Sequence, residues 1–270
     1  MPVEVTRQIP PPSECSVFIQ TVQGSVIRTL FEVLKDVVYE SLLIITPERV
    51  KITTMDCSKS SLVYMDLLAS SFEQFHCTSE HRCGISMLSA FKLIKTIANK
   101  TDIVTFFLHK QRPHDLGIAI QNEQIRACTV FCLKLLDMNH QDIVIPNFEY
   151  DSVVSMPSST LQKMCRDMSN LGSFVDIETD QESMRMSVVG DFASQSTVFS
   201  TGSDEISLST QHPFAGRFSL KFMNLFGRAS SLSQQTSIYL KNQHPLVLSY
   251  DVGSLGELKF LLTPQLDEDE

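Results

Sequence analysis

The sequence lacks several features that define common classes of protein. No apolar run approaches the roughly 18 residues that a transmembrane helix needs, so no membrane partner is expected. The N-terminal residues contain no apolar segment of the kind that forms a secretory signal. A phosphate-binding glycine loop and a GxSxG motif are also absent. We therefore expect no enzymatic activity, no catalytic residues and no cofactor.

Positive charge is scarce as well. The chain has 22 Lys and Arg against 31 Asp and Glu, which gives a net charge of -9. Such a chain would repel nucleic acid, which is a polyanion, unless its positive charges are segregated onto one surface. The seven cysteines are an odd number and are scattered, which predicts reduced thiols in an intracellular protein rather than a disulfide framework.

One cluster of potential metal ligands needs to be considered. The segment "FHCTSEHRCG" contains His76, Cys77, His81 and Cys83. Structural zinc sites usually combine a CxxC pair with a second pair of ligands, and both are missing here. The spacing therefore predicts no metal site.

Alternation of apolar and polar residues dominates the 270 residues and predicts many β-strands separated by turns. Four segments have helical periodicity instead. The first two are Ser25 to Val38 and "SAFKLIKTIAN", which is residues 89–99. The third begins after Pro157, with Ser158 or Ser159 as its N-cap, and the fourth lies in "FSLKFMNLFGRAS", residues 218–230.

Each predicted helix places basic residues opposite its apolar face. The eight residues are Arg28, Lys35, Lys92, Lys95, Lys163, Arg166, Lys221 and Arg228. The third helix, for example, is predicted to bury Leu161, Met164, Cys165 and Met168. A single basic face is usually only a solvated surface. Four such faces in an acidic chain favour a surface for a polyanion.

Two of the helices share a similar approach. "SMLS" begins at Ser86 and "SMPS" begins at Ser155, and each helix precedes several strands. This pattern predicts a repeated unit of one helix and a few strands, used four times and paired into two domains. The acidic segment from Asp137 to Asp151, which contains Pro146, is predicted to connect the two halves.

Longer segments of the sequence resemble those of a known family. They include "VQGSVIRTLFEVLKD", "TMDCSKSSLVYMDL", "MPSSTLQKMCRDMSNLG", "LKFMNLFGRASSLS", "PLVLSYDVGSLGELKFLLTP" and the acidic end "QLDEDE". In this order, from about Val17 to the C-terminus, they resemble the eukaryotic sliding clamps of the proliferating cell nuclear antigen family.

The resemblance implies an α+β DNA clamp fold. Two similar domains would each contain two helices and antiparallel sheets, and three copies would close into a ring with the helices facing the hole. The implied division is a flexible leader (1–16), an N-terminal domain (17–133), a connector (134–151), a C-terminal domain (152–264) and an acidic tail (265–270).

The resemblance also implies a function. The chain would encircle duplex DNA as a polymerase processivity factor, with the eight basic residues contacting phosphates independently of sequence. DNA polymerase, the clamp loader, ligase and nucleases would be its protein partners. The expected location is the nucleus, or a cytoplasmic replication site if the protein is viral.

In this family, partner peptides dock into an apolar pocket on one face of the ring. The matching positions are Met55, Lys59, Ile143, Ile145, Pro245, Leu261, Thr263 and Pro264. Lys59 stands where the family often has histidine, and Leu261 stands where it often has tyrosine. The resemblance therefore implies a more aliphatic pocket with an altered peptide preference.

Subunit contacts are implied for the strand from Ile125 to Lys134 and for the one around Phe192 to Ser200. The candidate interface residues are Cys128, Phe131, Met168 and Thr197. Gln181 replaces the lysine that the family uses for ubiquitin attachment, so this modification is not expected here.

Three alternatives remain open on the sequence alone. One is a subunit of a hetero-oligomeric checkpoint-type clamp, and another is a processivity factor that binds DNA without forming a ring. A third is an acidic adaptor that does not bind DNA. Mass in solution separates the homotrimer from the first two, and salt-dependent affinity for duplex DNA excludes the third.

Overall fold

The computed structural model describes residues 9–56, 58–138, 143, 149–200 and 205–265. The chain divides into two compact units. The first unit comprises Met1–Thr54, Met65–Ile143 and Val252–Glu257, and the second comprises Met55–Tyr64, Val144–Asp251 and Leu258–Glu270.

The elements up to residue 138 are mostly strands. They are β1 (Cys15–Thr21), α1 (Gly24–Val37), β2 (Glu40–Ile45), β3 (Arg49–Met55), β4 (Ser61–Leu68), β5 (Gln74–Cys77), β6 (His81–Ser86), α2 (Met87–Ile94), β7 (Ile103–His109), β8 (Asp115–Asn122) and β9 (Ala127–Lys134). One sheet has the order β5-β1-β7-β8-β9, and β4-β3-β2-β6 are consecutive neighbours in another.

The elements after residue 148 follow a similar scheme. They are β10 (Ser152–Pro157), α3 (Ser158–Met168), β11 (Phe174–Thr179), β12 (Ser183–Val189), β13 (Ser194–Ser200), β14 (Ser207–Thr210), β15 (Phe214–Ser219), α4 (Leu220–Phe226), a 3-10 helix (Gly227–Ser231), β16 (Gln235–Leu240), β17 (Leu246–Val252) and β18 (Gly256–Leu262). One sheet has the order β13-β12-β11-β15, and β14-β10-β16-β17-β18 are neighbours in another.

The predicted α+β class with few helices and antiparallel sheets is confirmed. Each of the four α-helices in the described residues begins within three residues of the end of a strand. This arrangement matches the repeated helix-and-strand unit that the sequence predicts.

Apolar spacing explains how the helices pack. In α1, Ile27, Leu30 and Leu34 recur every three or four residues and are buried, and Phe31 stacks on Phe106 of β7 with centroids 6.4 Å apart. In the second unit, Phe226 at the end of α4 stacks on Phe260 of β18 with centroids 4.5 Å apart. Large aromatic side chains thus attach a helix to a sheet in each unit.

Several predicted helix details were wrong. Helix α2 ends at Ile94 rather than Asn99, although Ile97 is still buried. The N-cap of α3 is Pro157, and Ser158 is its first helical residue instead of its cap. Phe218, which was assigned to the fourth helix, belongs to strand β15. These errors all lie at helix ends, where local periodicity gives little information.

The described part of the predicted leader contacts the first sheet. Ile9 packs against a buried cluster formed by Cys15, Phe18, Phe107 and Ala119. Lys110 donates its backbone N–H to Glu14 O (3.1 Å) and its Nζ to Ser13 O (2.7 Å). Strand β1 includes Cys15 and Ser16, so the folded part of the first unit begins before residue 17.

We expect removal of residues 1–14 to lower the melting temperature by about 2–4 °C. The change exposes apolar surface around Phe107 and removes the two hydrogen bonds of Lys110, which together stabilise the fold by about 1 kcal/mol. Thermal unfolding of the full chain and of two truncations, lacking residues 1–8 or 1–14, measures the effect. Equal melting temperatures for the two truncations would contradict this role for residues 9–14.

Candidate functional site

Helices α1 and α2 pack against each other in the first unit. The side chains of Lys92 and Lys95 are exposed, and α2 contains no acidic residue. Among the described residues, neither lysine has a recorded ion pair. These two ammonium groups are therefore available for a polyanion.

The basic residues of α1 are engaged within the protein. Arg28 donates from an Nη to Ile97 O at 2.9 Å. Lys35 lies 2.8 Å from the Asp36 carboxylate and 5.0 Å from the centre of the Phe91 ring, and its side chain is only 18% exposed. Glu32 and Asp36 are themselves exposed. Helix α1 thus contributes less free positive charge than its sequence pattern predicts.

A buried carboxylate holds the loop that follows α2. Asp102 is 2% exposed and accepts hydrogen bonds from the backbone N–H groups of Ala98 (2.9 Å) and Asn99 (3.0 Å). The Asn122 side chain also donates to it at 2.6 Å. Burial raises the pKa of the Asp102 carboxyl, but these hydrogen bonds outweigh it and hold the pKa below its ordinary value. No local sequence pattern indicated this role for Asp102.

We expect Asp102→Asn to destabilise the protein by about 2 kcal/mol at neutral pH, since it weakens several charge-assisted hydrogen bonds. A folded-state pKa below the unfolded value means that the carboxylate stabilises the fold above about pH 4 and loses this effect as the pH falls further. The difference in melting temperature between wild type and variant should therefore shrink below pH 4. A difference that stays constant from pH 7 to pH 3 would contradict the assignment.

The second unit presents a corresponding pair of helices. Helix α4 contacts α3, and Asn224 Nδ2 donates to Cys165 O at 3.2 Å. Lys163 and Arg166 are exposed on α3, beside the exposed Asp167. This surface therefore carries net positive charge.

The remaining basic residues extend the same helix pair. Lys221 is exposed on α4, and its Nζ lies 5.8 Å from the centre of the Phe222 ring. Arg228 is exposed in the 3-10 helix that follows. All four basic residues predicted for the second unit thus reach its surface.

A tight turn carries part of the predicted peptide pocket in the second unit. The Asp56 carboxylate accepts from the backbone N–H groups of Ser58 (3.1 Å) and Ser61 (2.6 Å) and from the Ser58 hydroxyl. These hydrogen bonds help to lower the pKa of the Asp56 carboxyl, against the effect of its burial. Thr263 donates its N–H and its hydroxyl to Ser60 O at 3.0 and 3.1 Å. The structure therefore brings this turn next to Thr263.

The other predicted pocket positions lie in several separate segments of the chain. Met55 is 44% exposed, so its side chain is accessible to a partner. Pro245, Leu261 and Pro264 are half-buried in the second unit, and Ile143 is half-buried at the end of the first. Ile145 lies outside the described residues.

The predicted subunit interface falls on two sheet edges. Strand β9 is the edge of its sheet next to β8, and β13 is the edge of its sheet next to β12. Cys128, Phe131 and Thr197 on these strands are half-buried. Met168 is 0% exposed and forms part of the core beneath α3, so its assignment to a surface contact was wrong.

Other candidate sites find little support in the described residues. No group of three or more His, Cys, Asp or Glu side chains in this part of the chain is arranged to hold a metal ion. Cys77 donates to Ser79 O at 3.0 Å, and burial raises the pKa of the Cys83 thiol to about 12. No described helix combines the length and apolar character needed to cross a membrane.

Comparison with known proteins identifies the family. Residues 18–143 match the sequence profile of the proliferating cell nuclear antigen N-terminal domain, and residues 144–265 match that of its C-terminal domain. A protein described as "Probable DNA polymerase sliding clamp 1" from Paramecium bursaria Chlorella virus 1 is 35% identical over 253 residues, covering 92% of this chain and 96% of the relative. The chain therefore belongs to the proliferating cell nuclear antigen family of DNA sliding clamps.

Proposed function

We propose that three copies of this chain close head to tail into a ring that encircles duplex DNA and tethers a polymerase to it. The observation that carries the proposal is the pairing of helices in each unit, with Lys92, Lys95, Lys163 and Arg166 exposed in an otherwise acidic chain. The wall of the hole is formed by these helix surfaces.

The chemistry of the surfaces suits sliding. Lys and Arg side chains that contact phosphates bind independently of base sequence, because the base edges lie within the grooves. Flexible side chains form and break such contacts without a large barrier. Retention on DNA then comes from ring closure, while the charges align the duplex in the hole.

Two of the open sheet edges support closure by a second copy. Strands β9 and β13 have similar lengths of eight and seven residues. An exposed edge offers unpaired backbone groups that can bind a strand of another chain. We place β9 of one copy beside β13 of the next, with Cys128, Phe131 and Thr197 at the contact.

The faces of these two strands are compatible with one continuous sheet. Register places Thr197 opposite Met186, which is fully buried, so Thr197 lies on the inner face of its sheet. Phe131 lies opposite Ile118, which is also fully buried. Pairing β9 with β13 can therefore align the two inner faces and leave the half-exposed Val198 on the outer face.

We further propose that Met55, Leu261 and Pro264 form an apolar groove that receives short helical peptides from DNA polymerase, the clamp loader, ligase and nucleases. An apolar groove rich in adaptable side chains suits the apolar face of a small helix. In this proposal the protein is a non-catalytic platform. It acts where DNA is replicated, in the nucleus or at a viral replication site in the cytoplasm.

Light scattering tests the assembly directly. A single species with a mass of three times 30.4 kDa is expected for the full chain. A monomer alone would favour a hetero-oligomeric clamp subunit or a factor that forms no ring. Titration with a peptide ending in two aromatic residues tests the groove, and we expect a dissociation constant in the micromolar range, about 8 kcal/mol. An absence of heat or spectral change at high peptide concentration would exclude the groove.

A further inference from the structure

Lys59 is a positively charged residue in the turn next to the proposed peptide groove. Lys59 is exposed and has a backbone φ of +57°, a left-handed conformation that residues other than glycine rarely adopt. The turn is held by the Asp56 carboxylate and by Lys59 N–H donating to Asp56 O at 3.0 Å. Strained backbone of this kind is often found at binding sites.

Within the described part of its turn, the Lys59 ammonium forms no ion pair with the carboxylate of Asp56. The two oxygens of Asp56 accept hydrogen bonds from Ser58 and Ser61. Among the described residues, no ion pair or hydrogen bond of the Lys59 ammonium is recorded. The ammonium group is therefore available to a partner.

The chain neighbours of Lys59 are in contact with residues assigned to the proposed groove. Its neighbour Ser60 accepts both hydrogen bonds of Thr263, and Pro264 directly follows Thr263. Met55, which is 44% exposed, immediately precedes the turn. A peptide whose apolar side chains reach Met55 and Pro264 would thus pass close to the ammonium group.

We propose that Lys59 is a specificity-determining residue that selects peptides carrying a carboxylate next to their apolar anchor. This inference rests on the proposed peptide groove. Opposite charge at an exposed rim gives a modest preference, which we expect to be about two- to fivefold at low salt. The hydrogen bonds of Asp56 fix the turn, so little ordering of its backbone is needed when the peptide binds.

The test uses two short helical peptides that share one leucine and end in the same pair of phenylalanines. The residue before this pair is Asp in one peptide and Asn in the other. Each is titrated into full-length wild type, Lys59→Gly, Lys59→Glu and the control Lys100→Ala, at low and high salt. Lys59→Gly removes the charge and suits the left-handed backbone. Lys100 is exposed in the first unit, so replacing it with alanine removes one positive charge without altering the turn around Lys59.

We expect wild type and Lys100→Ala to bind the Asp peptide two- to fivefold more tightly than the Asn peptide. Lys59→Gly should bind the two peptides equally, and Lys59→Glu should bind the Asn peptide more tightly. High salt should reduce these differences. Equal binding of the two peptides to wild type would overturn the role of Lys59 while leaving the groove intact. If neither peptide binds wild type, the groove and the role of Lys59 are both wrong.

Discussion

Replacing Lys92 and Lys95 with glutamate is expected to weaken association with duplex DNA at least about tenfold. The change places two carboxylates per copy where phosphates are proposed to approach, and three copies multiply the effect. Because both side chains are exposed, the fold should be retained. Fluorescence anisotropy with a labelled duplex at several salt concentrations measures the affinity, and the salt dependence should become shallower in the variant.

The matched control reverses the same number of charges elsewhere. Arg82 and Arg185 lie on strands β6 and β12 and form exposed ion pairs with Glu80 and Glu178, which contribute little stability. Changing both to glutamate alters the net charge equally. If this control weakens DNA association as much as the Lys92 and Lys95 variant does, the effect reflects net charge and the assignment of α2 to the DNA surface fails.

Substituting aspartate at either Phe131 or Thr197 is expected to convert the trimer into a monomer. Each change places a charge on an edge strand at the proposed contact, where it would have to be desolvated next to apolar atoms of the neighbouring copy. Light scattering should show the mass falling from three times 30.4 kDa to a single copy at micromolar concentration. The isolated monomer should also lose its association with DNA at physiological salt.

The opposite edges of the same two sheets provide the controls. Gln74 lies on β5 and Ala215 lies on β15, and both are exposed. Aspartate at these positions introduces the same charge on an edge that is not proposed to pair. A monomer produced by Gln74→Asp or Ala215→Asp, together with a stable trimer for Phe131→Asp, would contradict the proposed arrangement.

Much of the fold could be predicted because periodicity records which face of an element is buried. The spacing of Leu161, Met164, Cys165 and Met168 predicted the inner face of α3, and all of these residues are buried except Met164, which is half-buried. The same pattern argued against placing Met168 in a subunit contact, which came from the resemblance instead. Periodicity was the better guide here, since it reflects packing within this chain.

The electrostatic state of individual basic residues could not be predicted in the same way. Arg28 donates to the carbonyl of Ile97, which is 69 residues away along the chain, and Lys35 lies over the ring of Phe91. Such contacts depend on tertiary packing of α1 against α2. Glu32 and Asp36 in the same helix were the local signs that the positive charge of α1 would be partly offset, and Asp36 pairs with Lys35.

The turn formed by residues 56–61, beside the proposed groove, could be predicted only in part. Asp56 followed two residues later by Ser58 is a local turn signal that the sequence contains. The hydrogen bonds between Ser60 and Thr263 join positions 203 residues apart, so only the fold shows that they are neighbours. The resemblance to the family grouped these positions, and the structure supplies a physical contact between the two segments.

In the proposed function the protein holds DNA by encircling it, and a duplex with blocked ends distinguishes encirclement from binding to an open surface. A closed ring can thread over a free end but cannot pass a bulky protein bound there. We predict that wild type associates with a duplex whose ends are free and loses this association when both ends carry streptavidin. Equal binding to the two duplexes at the same salt concentration would contradict encirclement.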